Sequence, residues 1–192
     1  MNAPTGVRDE PLPYIERLQR RPLASIDLVV IHCTELPDLA TARAYGERIV
    51  HPSGTGNSGH YYIDRDGSTL RYIPNDRMAH HVRGHNEHSL GIELVNAGRY
   101  PDWFDSRNQT MTESYSDAQI DALLALLAQL RAGLPNLHHI AGHEDLDHGL
   151  VVASDDATLK VRRKLDPGPM FPWPRVMHAC DLQRRGRGTT PV

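Results

Sequence analysis

The chain is poor in cysteine and in long apolar runs. Only Cys33 and Cys180 are present, and no segment approaches the length of a membrane-spanning helix. Because one cysteine lies in a strand-like segment and the other near the C-terminus, we expect no structural disulfide. The first 25 residues contain prolines and charges but no apolar core of a signal peptide. These absences predict a cytoplasmic protein without an inserted membrane segment, although release by cell lysis fits them equally well.

An excess of charge of one sign is also missing. The formal net charge of −3 gives no support for nucleic-acid binding, because proteins that bind nucleic acid carry a clear basic excess. The one arginine-rich run, at 184–187, is short, and we expect it to be solvated. A chain of 192 residues fits one domain whose core is large enough to fold without disulfides or a partner chain. We therefore expect a monomer.

The apolar pattern predicts an α/β fold, with a central mixed β-sheet flanked by helices in a single domain. The run 28–31 is almost entirely β-branched, as in a doubly buried central strand. Ser116 and Gln119 have the spacing of a capping box before a leucine stripe, which predicts a helix ending near Gly133. The other predicted elements are a helix over 39–50, a hairpin over 60–73 with an Asp66-Gly67 turn, strands over 89–95 and 138–141, and an irregular excursion over 97–115.

The distribution of prolines and of apolar runs predicts three parts. Residues 1–24 are expected to form an N-terminal arm, interrupted by prolines, with one helical turn near Tyr14. Residues 25–176 contain all of the predicted strands and long helices, and we assign them to the domain. Residues 177–192 are predicted as a C-terminal tail.

Three side chains of the kinds that bind metals stand at the ends of strand-like segments. His32 and His143 each follow an apolar run, and Asp166 precedes a stiff Pro-Gly-Pro segment. A lone histidine at a strand end is more often a hydrogen-bonded structural residue, but three such positions together favour a metal site. Two imidazoles and a carboxylate, with a fourth position left for water, are typical of catalytic zinc. Glu93, near the end of another apolar run, is a second carboxylate suited to proton transfer.

Five short motifs follow one another along the chain: VVIHCT at 29–34, GHYYI at 59–63, SLGIEL at 89–94, IAGHED at 140–145 and KLDPGP at 164–169. Together, and in this order, they resemble the zinc-dependent N-acetylmuramoyl-L-alanine amidases. That family is related to the amidase-type phage lysozymes and to the peptidoglycan recognition proteins. The resemblance spans roughly residues 25–176, and five motifs in order are far more specific than any one of them.

The resemblance implies cleavage of the amide between N-acetylmuramic acid, or its anhydro form, and the L-alanine of the peptidoglycan stem peptide. Its partners would be peptidoglycan fragments or muropeptides. It implies one zinc ion held by His32, His143 and Asp166. It also implies that Glu93 activates the attacking water and then protonates the leaving nitrogen, and that Lys164 stabilises the oxyanion.

The residues themselves agree with these roles. Lys164 lies two positions before Asp166, and the following proline favours an extended segment, so both side chains should point towards the metal. A cation there would meet the negative charge that develops on the carbonyl oxygen. The alternatives are a solvated lysine in a basic run and, for Glu93, a strand-end acid paired with an arginine. The resemblance further assigns a substrate contact in the groove to His81, the neighbour of His80.

Two features depart from the family pattern. The segment between His143 and Asp166 is longer, and its insert near 147–156 must loop out and return. The insert adds alternative metal ligands: Asp147, His148 and Asp155. Gly59 stands where the lysozyme and recognition-protein branch carries a catalytic tyrosine. This glycine leaves the proton transfer to Glu93 and indicates the muropeptide-processing bacterial branch.

Two other functions compete with the amidase. A peptidoglycan recognition protein binds muropeptides without cutting them, but such proteins lose a metal ligand or the acid/base residue, and here all of these are present. A zinc peptidase that acts on sugar-free peptides would use the same chemistry, so only the shape of the groove distinguishes it. Intact cell wall and soluble anhydro-muropeptides both remain open as substrates.

Overall fold

A computed structural model describes residues 3–186. The strands are β1 (Val7–Asp9), β2 (Leu28–Cys33), β3 (Tyr61–Ile63), β4 (Thr69–Arg71), β5 (Ser89–Leu94), β6 (His139–Gly142), β7 (Leu150–Val152), β8 (Lys160–Arg162) and β9 (Gln183–Arg184). The α-helices are α1 (Leu39–Gly46), α2 (Asp117–Gly133), α3 (His143–Leu146) and α4 (Trp173–Ala179), and single 3-10 turns occur at Ile15–Arg17 and Leu23–Ser25.

Seven strands form one sheet in the order β1-β4-β3-β5-β2-β6-β9, and β7 pairs with β8 in a separate two-stranded ribbon. Within the described central sheet, β3 and β4 are antiparallel and the other neighbouring pairs are parallel. The predicted mixed α/β fold is confirmed. The predicted hairpin is β3–β4, and Gly67 takes a φ of 87° in its turn, a conformation that glycine adopts without strain.

Strand β2 lies at the centre of the domain, between β5 and β6, and all six of its residues are buried. Its side chains alternate between the two faces of the sheet. Val29 and Ile31 join the large core, whereas Leu28 and Val30 belong to a smaller cluster on the opposite face. His32 continues the second set. The strand therefore presents His32 on the face away from the large core.

Helix α2 covers the large core. Ser116 accepts a hydrogen bond from the backbone N–H of Gln119, and the Gln119 side chain accepts one from the backbone N–H of Ser116. The predicted capping box and the predicted end at Gly133 are both confirmed. The leucine stripe faces the sheet with these buried residues: Ile120, Leu123, Leu126, Leu127 and Leu130. Burial of a leucine stabilises a fold by roughly 1.5–3 kcal/mol, so this stripe contributes much of the core energy.

Helix α1 is shorter than the sequence pattern predicts. The helix ends at Gly46, not near Val50, and Ile49 and Val50 are each 55% exposed. The backbone N–H groups of Val50 and His51 donate to the carbonyl of Thr55 instead of continuing the helical ladder. The prediction of an apolar helical face at Ile49 and Val50 is therefore wrong, because a local turn takes the hydrogen bonds that the helix needs.

Both ends of the described chain contribute strands that the sequence pattern does not reveal. Strand β1, in the predicted arm, pairs with β4, and β9, in the predicted tail, pairs with β6. Leu12, Tyr14 and Leu18 also pack into a second core cluster. The helical turn predicted near Tyr14 is present as the 3-10 turn Ile15–Arg17. The boundaries at residues 24 and 176 stay predictions.

The arginine-rich run is not simply solvated. Arg184 donates to the Asp145 carboxylate at 3.0 Å, and its guanidinium lies 3.8 Å from the centroid of the Trp173 ring. Arg185 reaches Asp27 at 3.4 Å. The expectation of a solvated run is thus wrong for these two residues, while Arg187 lies outside the described part of the chain.

Two features that the sequence predicts to be absent are a disulfide and a membrane-spanning segment. Cys33 and Cys180 are both free thiols, so the expected lack of a disulfide is confirmed. Among residues 3–186, no helix combines the length and the apolar character that a membrane crossing needs.

Candidate active site

Three strands of the central sheet end side by side at one edge, and each carries a candidate functional residue. His32 is near the end of β2, Glu93 near the end of β5, and His143 directly follows β6. Ligands of open sheets characteristically bind at the carboxyl ends of parallel strands. Asp166 reaches the same point from the loop before α4. The ligand atoms of His32, His143 and Asp166 all lie within 4.8 Å of one another.

The three side chains are in direct contact and almost completely buried. Asp166 Oδ2 lies 2.9 Å from His32 Nδ1 and 3.1 Å from His143 Nδ1. Each of the three residues is at most 2% exposed. Buried ionisable groups are unfavourable unless they are paired or bind a metal. A chance grouping of surface residues therefore does not explain their convergence.

Electrostatics hold two of these groups, His32 and Asp166, in the protonation states that metal binding requires. Burial lowers the pKa of His32 to about 4, which leaves its ring neutral at pH 7. Burial alone would raise the pKa of Asp166, but the charges of His143 and Lys164 and the hydrogen bonds from both histidines hold it well below its usual range. Metal ligands bind as neutral imidazole and ionised carboxylate. The site already favours both forms.

Two atoms of the triplet have no hydrogen-bond partner within the described chain. His143 Nε2 and Asp166 Oδ1 are buried and make no hydrogen bond. Such atoms are rare in native proteins and commonly indicate a bound water or ion. Zinc coordinates imidazole nitrogen and carboxylate oxygen, so the donor set of this triplet fits a zinc ion.

Glu93 stands beside the triplet because β2 and β5 are paired in register, with Glu93 opposite His32. Burial raises the pKa of the Glu93 carboxyl well above its usual range, Asp166 raises it further, and Lys164 lowers it. The absence of a side chain at position 59 makes room for this carboxyl group. A Cβ on Gly59 would lie only 2.7 Å from Glu93 Cγ. A larger residue there would require Glu93 to move.

Lys164 approaches the triplet as its spacing predicts. Its Nζ lies 4.0 Å from Asp166 Oδ1, and its side chain is 32% exposed. The ammonium group therefore lies between the buried carboxylate and the open cleft. This position suits a cation that meets negative charge on a bound ligand.

His81 also reaches the triplet. Its Nδ1 lies 3.0 Å from His32 Nε2, and its Nε2 lies 3.1 Å from the hydroxyl of Ser89. Gly91 provides the space, since a Cβ there would lie 2.7 Å from the His81 ring. Burial is the main cause that lowers the pKa of His81 well below its usual range. His81, and not its neighbour His80, thus contacts His32, one of the three candidate metal ligands.

The insert does not compete for the site. It folds into the β7–β8 ribbon and returns the chain to Asp166. Asp147 is paired with Arg163, and Asp155 accepts hydrogen bonds from Ser106 at 2.7 Å. His148 is exposed. Among the residues that the structure describes, no second group of three or more such side chains is arranged to hold an ion.

The triplet opens into a cleft of about 520 Å³. Tyr45, His51, Asn57 and His80 also line the cleft, and the ring centroids of His51 and His80 are 4.3 Å apart. Tyr45, His51 and Asn57 are not among the residues that the sequence predicts for the site. His51 and Asn57 lie in a Gly/Ser-rich loop without periodicity, so their one signal is the presence of polar side chains between two elements. The early end of α1 brings this loop to the cleft.

The family of the chain follows from a comparison with known proteins. The model of the family described as N-acetylmuramoyl-L-alanine amidase matches residues 21–169, which contain the triplet, Glu93, Lys164 and His81. The chain belongs to this family. The predicted family assignment is therefore confirmed.

Relatives of this amidase family share both sequence and fold with the chain. The 1,6-anhydro-N-acetylmuramyl-L-alanine amidase AmpD of Salmonella typhimurium strain SL1344 is 34% identical over 127 residues, which is 62% of this chain and 54% of the relative. The chain thus spans about half the length of the curated relatives it matches. A crystal structure of a selenomethionine AmpD derivative has a TM-score of 0.64 and 25% identity, over 92% of this chain and 95% of the other.

A further structural relative has been solved with a ligand. AmpDh3 of Pseudomonas aeruginosa, in complex with anhydromuramic pentapeptide, has a TM-score of 0.60 and 24% identity, over 81% of this chain and 60% of the other. At this identity the likeness concerns the fold alone.

Proposed function

We propose that this amidase-family chain hydrolyses the amide bond between anhydro-N-acetylmuramic acid, or N-acetylmuramic acid, and the L-alanine of the stem peptide. The observation that carries the proposal is the convergence of His32, His143 and Asp166 beside Glu93 at the base of one cleft. The names of the AmpD relatives point to the anhydro form as the preferred sugar. We further infer that the chain acts as a cytoplasmic monomer on soluble muropeptides.

His32, His143 and Asp166 would hold one zinc ion, whose role when bound is to polarise the substrate carbonyl and to acidify water. The protein supplies a rigid base for this ion. His32 stands on a buried strand between two others, and His143 begins α3 directly after β6. Ligands on such elements keep their geometry better than ligands on mobile loops.

Glu93 is the proton carrier of the proposed reaction. An amide is difficult to hydrolyse because its nitrogen leaves poorly unless it receives a proton. The Glu93 carboxyl accepts a proton from the attacking water and returns it to the leaving nitrogen. Its raised pKa suits this double role, because burial makes the carboxyl group hold a proton more readily than an exposed carboxyl group does.

Replacement of Lys164 by alanine is expected to lower kcat by about 10²–10³-fold, with a smaller effect on KM, because its contact with the oxyanion strengthens in the transition state. Steady-state kinetics on a defined anhydromuramyl tripeptide measure both constants. Lys160, which is exposed on β8, gives a matched control, and Lys160→Ala should resemble the parent protein. A change confined to KM would make Lys164 a substrate-binding residue instead.

Mass analysis of products from defined muropeptides tests the reaction, the substrate and the metal together. We expect free stem peptide and the released sugar, and we expect that a chelator abolishes their formation and that added zinc restores it. Intact muropeptide that binds but is not cut would identify a recognition protein. Cleavage within a sugar-free peptide would identify a peptidase. A chelator-resistant product would remove the metal from the mechanism.

A further inference from the structure

Arg99 makes an unusually complete set of contacts for a charged side chain in the protein interior. It is 0% exposed, yet no N–H of its guanidinium lacks an acceptor. A guanidinium has five N–H donors in a fixed planar fork. Here they meet five acceptor atoms: Glu35 Oε1 at 2.7 Å, Glu35 Oε2 at 3.0 Å, Gln109 Oε1 at 3.1 Å, the Arg162 carbonyl at 2.9 Å and the Arg163 carbonyl at 3.3 Å.

Four of these five acceptors, all except Gln109, belong to two parts of the chain that converge on the active site. Glu35 lies three residues after His32, just beyond the end of β2. Arg162 and Arg163 directly precede Lys164. The guanidinium therefore connects the segment after β2, the strand that carries the candidate metal ligand His32, to the segment that carries Lys164, the candidate cation for the oxyanion. None of its contacts is with the triplet, and Arg163 is its one partner that also lines the cleft.

An unusual backbone conformation at Glu35 accompanies the contact of its carboxylate with Arg99. Glu35 has a φ of 49°, in the left-handed region that residues other than glycine seldom adopt. Gly98 makes room for it, since a Cβ there would lie 2.7 Å from Glu35 Cγ. Trp103 Nε1 donates to the Glu35 carbonyl at 3.0 Å. Strained backbone persists where surrounding contacts hold it, often near functional sites.

Apart from Arg99, the segment at 162–163 is held mainly by the insert, because the Arg163 N–H donates to the Gly149 carbonyl and the Arg163 side chain pairs with Asp147. It leaves the β7–β8 ribbon, whose exposed faces include Leu150 and Val152, each more than half exposed. From Arg163 onwards the chain is irregular until α4. Lys164 is in this irregular stretch, and its long side chain has several rotatable bonds. A backbone anchor immediately before Lys164 therefore determines where its ammonium group can reach.

We infer that Arg99 is a positioning residue, which acts through the 162–163 backbone to hold Lys164 over the reaction centre. This inference rests on the proposed amidase function. Arg99 does not touch substrate. It links the end of β2 to the returning insert, so that Lys164 Nζ and the His32-containing triplet keep a defined separation.

Replacement of Arg99 by lysine tests the role of the fork, because an ammonium has three donors and cannot satisfy five acceptors in one plane. We expect kcat on an anhydromuramyl peptide to fall by about 10–100-fold, with zinc content unchanged, because small misplacements of a catalytic group have effects of this size. Arg71, a buried arginine that forks onto Asp9 at the far side of the sheet, gives the matched control. Arg71→Lys should leave kcat within about twofold of the parent, as for a change remote from the chemistry.

A double-mutant cycle separates positioning from general loss of structure. If Arg99 acts through Lys164, then Arg99→Lys should lower kcat by less than about twofold when Lys164 is already alanine, because coupled residues are not additive. An equal fold-loss in both backgrounds would overturn the inference and leave Arg99 a purely structural residue. Loss of zinc in Arg99→Lys would also overturn it, since the effect would then lie in the metal site.

A gentler variant covers the case in which Arg99→Lys does not fold. Glu35→Gln keeps the shape of the acceptor and removes its charge, and the same cycle with Lys164→Ala applies. Additive losses for this variant would contradict the inference, while a loss that disappears in the Lys164→Ala background supports it. Failure of the proposed function itself looks different, because the parent protein would then release no sugar or peptide in the same assay.

Discussion

Glu93→Gln is expected to lower kcat by about 10²–10⁴-fold, which is the usual contribution of a general acid–base group. Glutamine keeps the shape of the side chain, but it can neither accept a proton from water nor return one to the leaving nitrogen. Zinc content should stay at one ion per chain, because Glu93 is not part of the metal triplet. Steady-state kinetics and elemental analysis of the same preparation measure the two quantities.

Glu87→Gln is a suitable control for this variant. Glu87 lies six residues earlier, before β5, and is exposed. The Glu87→Gln variant should therefore have the same kcat and the same zinc content as the parent protein. A near-normal rate in Glu93→Gln would show that another group carries the proton. His81 would be the first alternative to examine, because its ring is the closest imidazole to His32 outside the triplet.

The second large effect is expected for Asp166→Ala, which should lose both zinc and activity. Removal of even an outer-shell partner weakens metal binding by about 10–100-fold, and loss of a direct ligand should exceed this. The remaining imidazoles would face a cavity in place of the oxygen atom that both now contact. Metal content after dialysis, together with a zinc titration of the apoprotein, gives the measurement.

Asp155→Ala serves as the matched control for the metal experiment. Asp155 is an acid of the insert whose carboxylate binds Ser106, away from the triplet. Its replacement should retain a full zinc ion. If Asp166→Ala also retained full occupancy, Asp166 would be excluded from the ligand set, and the orphaned atoms at the base of the cleft would need another explanation.

The residues of the candidate site were accessible to sequence reasoning because each belongs to a short local motif. His32, His143 and Glu93 stand at the ends of apolar runs, and the carboxyl ends of parallel strands necessarily meet at one sheet edge. The pairing of His32 with Glu93 follows from that topology. Lys164 and Asp166 are two residues apart, so an extended backbone is enough to direct both to the same place.

The strongest helix was equally predictable. The capping box at Ser116 and the leucine periodicity of α2 are contained within seventeen residues, and local hydrogen bonds decide where such a helix begins. By contrast, α1 ended four residues early. Its sequence continues to favour a helix, but the N–H groups of Val50 and His51 donate to the Thr55 carbonyl and not to carbonyls of the preceding turn. Competition of this kind is invisible in a pattern of apolar residues.

The fold class, the central strands, α2 and the candidate metal ligands could be predicted from the amino-acid pattern alone, because periodicity and motif order are local properties of the chain. The short edge strands β1 and β9, the contribution of Tyr45, His51 and Asn57 to the cleft and the bridge made by Arg99 emerge only in the folded protein. Strands of two or three residues have no period to detect. The Arg99 bridge joins residues more than sixty positions apart, and such contacts exist only after the sheet has brought both segments together.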